Sequence, residues 1–69
     1  MNTMNKYTVV CDFRSEGALS AVRRFDEDAV IEMDSVREDG HEEYTVETEW
    51  NIDQVLDNCA GVISYEKAN

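Results

Sequence analysis

The stretch "EDGHEEYTVETEW", residues 38–50, contains the turn and the strand around which the rest of the chain is organised. Asp39-Gly40 is typical of a two-residue type I′ hairpin turn, and the residues after it alternate as they do in a strand. The preceding segment "AVIEMDSV", residues 29–36, alternates in the same way. The sequence therefore predicts an antiparallel hairpin in which Glu38 pairs with His41.

This register gives the hairpin two different sides. One side, with Met33 opposite Val46, is mostly apolar, and we assign it to the core. The other side places Glu32 opposite Glu47, and directly opposed like charges are destabilising by roughly 0.2–1 kcal/mol. Carboxylates of the first and last strands join this side. The sequence thus predicts an acidic face, and its members are the candidate partner-binding residues: Asp12, Glu32, Asp34, Glu43, Glu47, Glu49 and Glu66.

The segment before the hairpin predicts a strand followed by a helix. "KYTVVCDF", residues 6–13, alternates apolar and polar positions and gives a strand with one apolar face. Ser15 is a suitable N-cap, and apolar residues then recur at helical spacing. Acidic side chains oppose the helix dipole at a C-terminus, so we expect the helix to end near Phe25 or Asp26.

A second helix and a last strand are predicted after the hairpin. Asn51 is a good N-cap with Gln54 as its capping-box partner, and Gly61 suits the C′ position. "VISYE", residues 62–66, reads as a short strand. The order β-α-β-β-α-β predicts an α+β, ferredoxin-like fold with a four-stranded antiparallel sheet and two helices on one face. We expect one domain over residues 1–69, with residues 1–5 disordered.

Two segments resemble ACT regulatory domains. "DFRSEGALSAV", residues 12–22, resembles the strand-to-helix turn in which a Gly-Ala-Leu step opens the first helix, and "NCAGVISYE", residues 58–66, looks like the entry to the last strand. Glu16 stands where ACT domains usually have a proline. The resemblance supports the ferredoxin-like fold and implies a dimer that senses a small ligand.

Composition and charge limit the classes of partner. The 69 residues contain sixteen acids against six bases, a formal net charge of −10. Such a charge disfavours nucleic acid or an anionic membrane as a direct partner and favours a basic protein surface. The chain begins without an apolar leader and has no apolar run approaching the roughly 20 residues of a membrane span. We expect a cytoplasmic protein in which Cys11 and Cys59 are buried, reduced thiols.

Other kinds of site are weakly indicated. The sole histidine, His41, lies far in sequence from both cysteines, so we expect no catalytic residue, cofactor or metal and a protein that is not an enzyme. An anion site at Arg14, Ser15 and Gly17 competes with their roles in the helix entry.

The sequence favours a small inhibitor or decoy, a nucleic-acid mimic that occupies the basic surface of a nucleic-acid-binding protein and, given its size and charge, is phage-encoded. The alternatives are an ACT-like ligand-sensing module and an acidic structural or assembly subunit whose charge serves only solubility. The pattern leaves open whether the chain is a monomer or a homodimer.

Overall fold

The fold follows the predicted order of elements. A computed structural model describes residues 4–68. The elements are β1 (Asn5–Cys11), α1 (Ser15–Phe25), β2 (Val30–Val36), β3 (Glu42–Thr48), α2 (Asp53–Asp57) and β4 (Val62–Lys67). The strands form one antiparallel sheet in the order β2-β3-β1-β4. The chain therefore has the predicted ferredoxin-like α+β fold.

The core lies between the sheet and the two helices. Alternate residues of β1 and β3, among them Tyr7 and Val46, point to the helices and are buried. They pack against Ala18 and Val22 of α1 and against Leu56 of α2. Both helices bury their apolar residues in this one cluster, so the opposite sheet face is left uncovered among residues 4–68.

The start of the chain differs in part from expectation. Asn5 is the first residue of β1, and its side-chain amide donates to the carbonyl oxygen of Trp50 at 2.9 Å. The prediction of disorder over residues 1–5 is therefore wrong at Asn5, while residues 1–3 lie outside the described residues.

The N-cap of α1 is Arg14, which forms no side-chain capping bond, and not the predicted Ser15. The carboxylate of Asp12 accepts the backbone N–H of Arg14 at 2.7 Å, and the carbonyl oxygen of Asp12 accepts the N–H of Ser15 at 3.1 Å. Ser15 is the first helical residue and is buried, and its hydroxyl donates to Glu42 Oε1 at 2.6 Å. The prediction of Ser15 as the N-cap is wrong, because its hydroxyl joins the helix to β3 instead.

The second helix is shorter than its predicted capping residues indicate. Its N-cap is Ile52, whose N–H donates to the hydroxyl of Tyr7 at 3.2 Å. Asn51 Oδ1 accepts a hydrogen bond from that hydroxyl at 3.0 Å and one from the N–H of Asp53 at 3.4 Å, so its side chain joins the core tyrosine to the start of the helix. The helix ends at Asp57, and Gly61 is therefore not its C′ residue. Gly61 is required for another reason: a Cβ there would lie 2.6 Å from the backbone oxygen of Arg14.

The hairpin turn between β2 and β3 is one residue longer than predicted. The carbonyl oxygen of Arg37 accepts the N–H of Gly40 at 2.9 Å, and the N–H of Arg37 donates to the oxygen of His41 at 2.7 Å. Gly40 has a φ of 89°, the left-handed conformation that glycine adopts readily. This is the three-residue loop, a type I turn closed by a left-handed glycine, rather than the type I′ turn.

A bulge in β2 moves the register by one residue more. Ser35 lies opposite Glu43, whereas Met33 lies opposite Tyr44, so the irregularity falls at Asp34. Beyond the bulge Glu32 faces Thr45, and the predicted opposition of Glu32 and Glu47 is wrong. The two one-residue shifts add to two, and because side chains alternate with period two, Glu32 keeps its predicted face.

Candidate functional site

The sheet face without helices carries most of the predicted acidic residues. Residues that oppose each other in register share a face, and Glu43 and Glu47 of β3 oppose Val10 and Lys6 of β1 on the side away from the core. Glu32 and Glu66 lie on the same side of the two outer strands. We call this surface, formed by Lys6, Thr8, Val10, Val30, Glu32, Asp34, Ser35, Glu43, Thr45, Glu47, Ser64 and Glu66, the open face.

Two predicted site residues lie beyond the ends of the strands. Asp12 directly follows β1, and both of its carboxylate oxygens contact the guanidinium of Arg14, the shortest distance being 2.7 Å. Its side chain is only 16% exposed. Asp12 therefore holds the entry to α1, which leaves little of its carboxylate for a partner. Glu49 follows β3 and is exposed.

Basic residues accompany the acids along the middle of the open face. Arg37 Nη2 lies 2.8 Å from Glu43 Oε2, and Lys6 lies opposite Glu47 in the register of β1 and β3. Neither base was predicted to lie on this face. Alternation along β1 already puts Lys6 on the side of Asp12, whereas the position of Arg37 depends on the three-residue turn and could not be read from the pattern.

Among residues 4–68, the acids of the open face that have no base opposite them or ion-paired with them lie on the outer strands, β2 and β4. Asp34, the bulged residue of β2, accepts a hydrogen bond from the hydroxyl of Thr45 at 2.5 Å and so points to the open face. Glu32 opposes Thr45, and Glu66 of β4 opposes Thr8. The predicted acidic face therefore consists of two acidic borders, on β2 and β4, separated by a centre that contains both acids and bases. A shallow groove of about 300 Å³ crosses that centre, lined in part by Val10, Arg37 and Glu43.

Two carboxyl groups, Asp12 after the end of β1 and Glu42 at the start of β3, have lowered pKa values. The hydrogen bonds and charge of Arg14 lower the pKa of Asp12. The hydroxyls of Ser15 and Tyr44 both donate to Glu42 Oε1, and these bonds lower the pKa of Glu42. A carboxyl with a lowered folded-state pKa contributes stability above its unfolded value, near 4, and that contribution is lost as the pH falls through the folded value. Both groups thus predict acid destabilisation.

A second groove lies on the other side of the molecule, between the start of α1 and the loop before β4. Its volume is about 580 Å³, and it is lined mainly by small and apolar residues: Phe13, Arg14, Glu16, Gly17, Ala18, Ala21, Asn58, Cys59, Ala60 and Gly61. Phe13 is 89% exposed beside it, with the Arg14 guanidinium 5.4 Å from the ring centre. The groove contains the predicted anion-site residues Arg14 and Gly17, whereas the hydroxyl of Ser15 points to Glu42.

The thiols do not form a reactive site. Cys11 is buried and Cys59 is partly buried, and both are free. Burial and the nearby carboxylates of Asp12 and Glu42 raise the pKa of Cys11 to about 11, which keeps it a neutral thiol. Among residues 4–68, no three histidine, cysteine, aspartate or glutamate side chains come together in a way that could hold a metal ion.

The fold and the open face define a small, acidic ferredoxin-like protein. Searches with protein family models, curated proteins and solved structures gave no match to this chain. The likeness to ACT domains therefore rests on the residues quoted above. Within the described part of the chain, neither helix is long and apolar enough to cross a membrane.

Proposed function

We propose that this protein is a cytoplasmic inhibitor or decoy that binds the basic surface of a nucleic-acid-handling protein through its open face, and that it is not an enzyme. The observation that carries the proposal is the placement of Glu32, Asp34, Glu43, Glu47 and Glu66 on the one sheet face that the helices leave bare. The two free thiols accord with a reducing compartment.

The sheet gives these carboxylates fixed spacings. Alternate residues of a strand lie about 6.7 Å apart, and diagonal neighbours on adjacent strands lie about 7–8 Å apart, as Glu32 does from Glu43 and Glu47. Such an array presents a cationic groove with negative charges at fixed positions, as nucleic-acid phosphates do. RNA-binding domains with this topology carry aromatic and basic residues on the sheet. The reversed charge here favours a partner that itself binds nucleic acid.

A capture experiment at two salt concentrations tests the proposal. The immobilised protein should retain basic, nucleic-acid-binding proteins from a cell lysate at low salt and release them at several hundred millimolar salt, because exposed charges are screened. The retained protein, once purified, should lose its nucleic acid when this chain is added. Binding that is unchanged by salt, or that leaves the nucleic acid in place, would contradict a decoy.

A matched pair of variants separates the open face from overall charge. Glu32→Lys with Glu66→Lys reverses both acidic borders, whereas Glu16→Lys with Glu27→Lys makes the same change in net charge elsewhere on the surface. The first variant should abolish capture and the second should weaken it only slightly. Equal losses would mean that the acidity acts through net charge, as expected of a subunit whose charge serves solubility.

The groove beside α1 favours a second candidate, the small-ligand sensor. The groove lies at the turn that resembles ACT domains and joins apolar surface to the charge of Arg14. A ligand that binds only the folded protein raises its melting temperature by mass action. We would therefore screen amino acids and small carboxylates by thermal denaturation.

Gly17 provides a clean control for that screen. A Cβ at this position meets no atom from outside its own helix within 4 Å among the described residues. Gly17→Val should therefore narrow the groove without disturbing the core and should abolish any ligand-induced shift. A screen without a shift, or a shift that survives Gly17→Val, would count against the sensor.

A further inference from the structure

The outer edge of β2 is one of the two free edges of the described sheet. β2 is the first strand in the order β2-β3-β1-β4, so in the described sheet its outward N–H and C=O groups face no neighbouring strand. All of its residues are exposed or only partly buried. Val30, Met33 and Val36 are 48, 53 and 60% exposed, a high fraction for large apolar side chains on one short strand. Exposed edges of this kind accept a further strand.

The two sides of β2 differ in chemistry. Met33 opposes Tyr44 and, beyond the bulge, Val36 opposes Glu42, so both point to the helix side of the sheet. Glu32 and Asp34 point to the open face, and so does Val30, which opposes Glu47. A strand added at this edge would present apolar side chains on the first side and basic ones on the second, because side chains alternate between faces.

The sequence around the edge strengthens the demand for a basic partner. Residues 26–39 contain seven of the sixteen acids and one base, and that base, Arg37, is paired with Glu43. A second copy of this chain does not meet that demand. Antiparallel pairing of β2 with its own copy would bring the acids of both open faces together across the new edge, and opposed like charges are destabilising.

We infer that β2 binds an extended segment of a partner protein, in which basic residues alternate with apolar residues, by adding it to the sheet as a fifth strand. The inference rests on the proposed function in taking the partner to be basic, but it names a different contact, the edge of the sheet. Backbone hydrogen bonds hold the segment, Met33 and Val36 contact its apolar side chains, and Glu32 and Asp34 contact its basic ones.

A synthetic peptide tests this contact directly. The probe is a blocked ten-residue peptide of alternating lysine and valine, titrated into the ¹⁵N-labelled protein. We expect shifts in the amide resonances of residues 30–36, together with slower hydrogen exchange in β2. A peptide with glutamate in place of lysine should not bind, and one N-methylated at every residue, which blocks both of its edges, should bind weakly. Binding of the N-methylated peptide at full strength would overturn strand addition.

Two variants with the same change in charge locate the edge. Glu32→Lys on β2 should weaken peptide binding about two- to fivefold, the effect of one opposed charge pair. Glu66→Lys on β4 should weaken it less than about twofold, because four strand spacings put it roughly 19 Å from the added strand, beyond the Debye length of about 8 Å at physiological salt. Equal effects, or shifts centred on β4, would overturn the inference, as would the absence of binding at millimolar peptide.

The outcomes separate this inference from the proposed function. A captured partner that shifts residues across the open face and leaves β2 unprotected supports the decoy and overturns strand addition. Peptide addition to β2 without capture of a nucleic-acid-binding protein supports strand addition and contradicts the decoy. Sedimentation of the free protein completes the set, because a dimer that protects the β2 amides would show that a second copy occupies the edge and would overturn the inference.

Discussion

Gly61 offers a sharp test of how the start of α1 meets the loop before β4. A Cβ at this position would lie 2.6 Å from the carbonyl oxygen of Arg14, 2.9 Å from its carbonyl carbon and 3.0 Å from its Cβ. Carbon–oxygen contacts in proteins begin at roughly 3.3 Å, so one segment must move by roughly 0.7 Å in Gly61→Ala. The backbone dihedrals are not the obstacle, because the glycine with positive φ in the described chain is Gly40.

Neither segment can move without straining hydrogen bonds. The oxygen of Arg14 accepts the N–H groups of Gly17 and Ala18 at 3.0 and 3.4 Å in the first turn of α1. The oxygen of Gly61 accepts the N–H of Asp12 at 2.9 Å. Overpacking of this kind costs about 1–3 kcal/mol, and the reduced freedom of the unfolded alanine chain returns about 0.4–1 kcal/mol. We expect a net loss of about 1.3 kcal/mol, the difference between the midpoints of these two ranges, equivalent to roughly 5–10 °C in melting temperature.

Urea unfolding, followed by far-ultraviolet circular dichroism and by the fluorescence of Trp50, measures this loss. Gly17→Ala is the matched control, because its Cβ meets open space and alanine favours the helix by up to about 1 kcal/mol. Gly17→Ala should be neutral or stabilising. If Gly61→Ala stays within about 0.5 kcal/mol of the unmodified protein, where neutral surface substitutions fall, the close approach of Arg14 to Gly61 is refuted.

Three further predictions concern contacts elsewhere. Thr48→Val keeps the buried shape but removes the hydroxyl that donates to Asp26 Oδ2 at 2.6 Å, so we expect a loss of about 1–3 kcal/mol in urea unfolding. Glu47→Lys opposes two cations and should lower the free energy of unfolding by a few tenths to about 1 kcal/mol, and adding Lys6→Glu should restore it. A hydrogen bond to a carboxylate of α2 raises the pKa of Tyr65 to about 12, so its stabilising contribution is complete below about pH 10 and is lost as the pH rises towards 12; Tyr65→Phe should remove this dependence in alkaline denaturation.

Each of these has a contrary result. An unchanged urea midpoint in Thr48→Val would mean that the hydroxyl is as well satisfied by water in the unfolded chain. A charge swap that fails to restore stability would show that the register of β1 and β3 is misassigned. Phenolate absorbance at 295 nm that rises with a single midpoint near 10 would show that Tyr65 lacks its carboxylate partner.

The elements of this fold could be read from the sequence because each has its own periodicity. Alternation along β1 and β3 and the helical spacing of Ala18 and Val22 are local signals, and most of the core consists of these positions. The capping residues of the helices were harder to predict from the sequence. A serine before a helix is a good N-cap in isolation, but Asp12 reaches the same turn and Glu42 binds the serine hydroxyl. That competition involves residues far apart in sequence.

The register of the hairpin could not be predicted for a related reason. Asp39-Gly40 suits both a two-residue type I′ turn and a three-residue turn closed by a left-handed glycine, and the two differ by one residue in pairing. The bulge at Asp34 adds another residue, and the hydrogen bond found there joins Asp34 to Thr45 on the neighbouring strand, eleven residues away in sequence. Because the two shifts together preserve the faces, Glu32 lies on the predicted face. The residue opposite it differs from the predicted one.

The corrected register changes where the unbalanced negative charge lies on the sheet. A uniform grid would repel any second anion equally at every point and would make the whole face the contact. With Lys6 opposite Glu47 and Arg37 on Glu43, the centre is nearly balanced, and the unbalanced charge lies on β2 and β4.

The two acidic borders are not equivalent. On β4 the single acid is Glu66, and Lys67 follows it on the other side of the strand, whereas the chain around β2 has six more acids than bases, seven against one in residues 26–39. Fields from exposed charges decay within about 8 Å at physiological salt, so a cationic partner experiences the nearest border and not the net charge of the chain. The same border carries Met33 and Val36, half or more exposed, on its helix side. Solubility alone would be served by acids anywhere on the surface, and it is opposed by exposed apolar residues beside them. The coincidence of both on one free strand edge is the feature that solubility does not explain and that binding of a basic segment does.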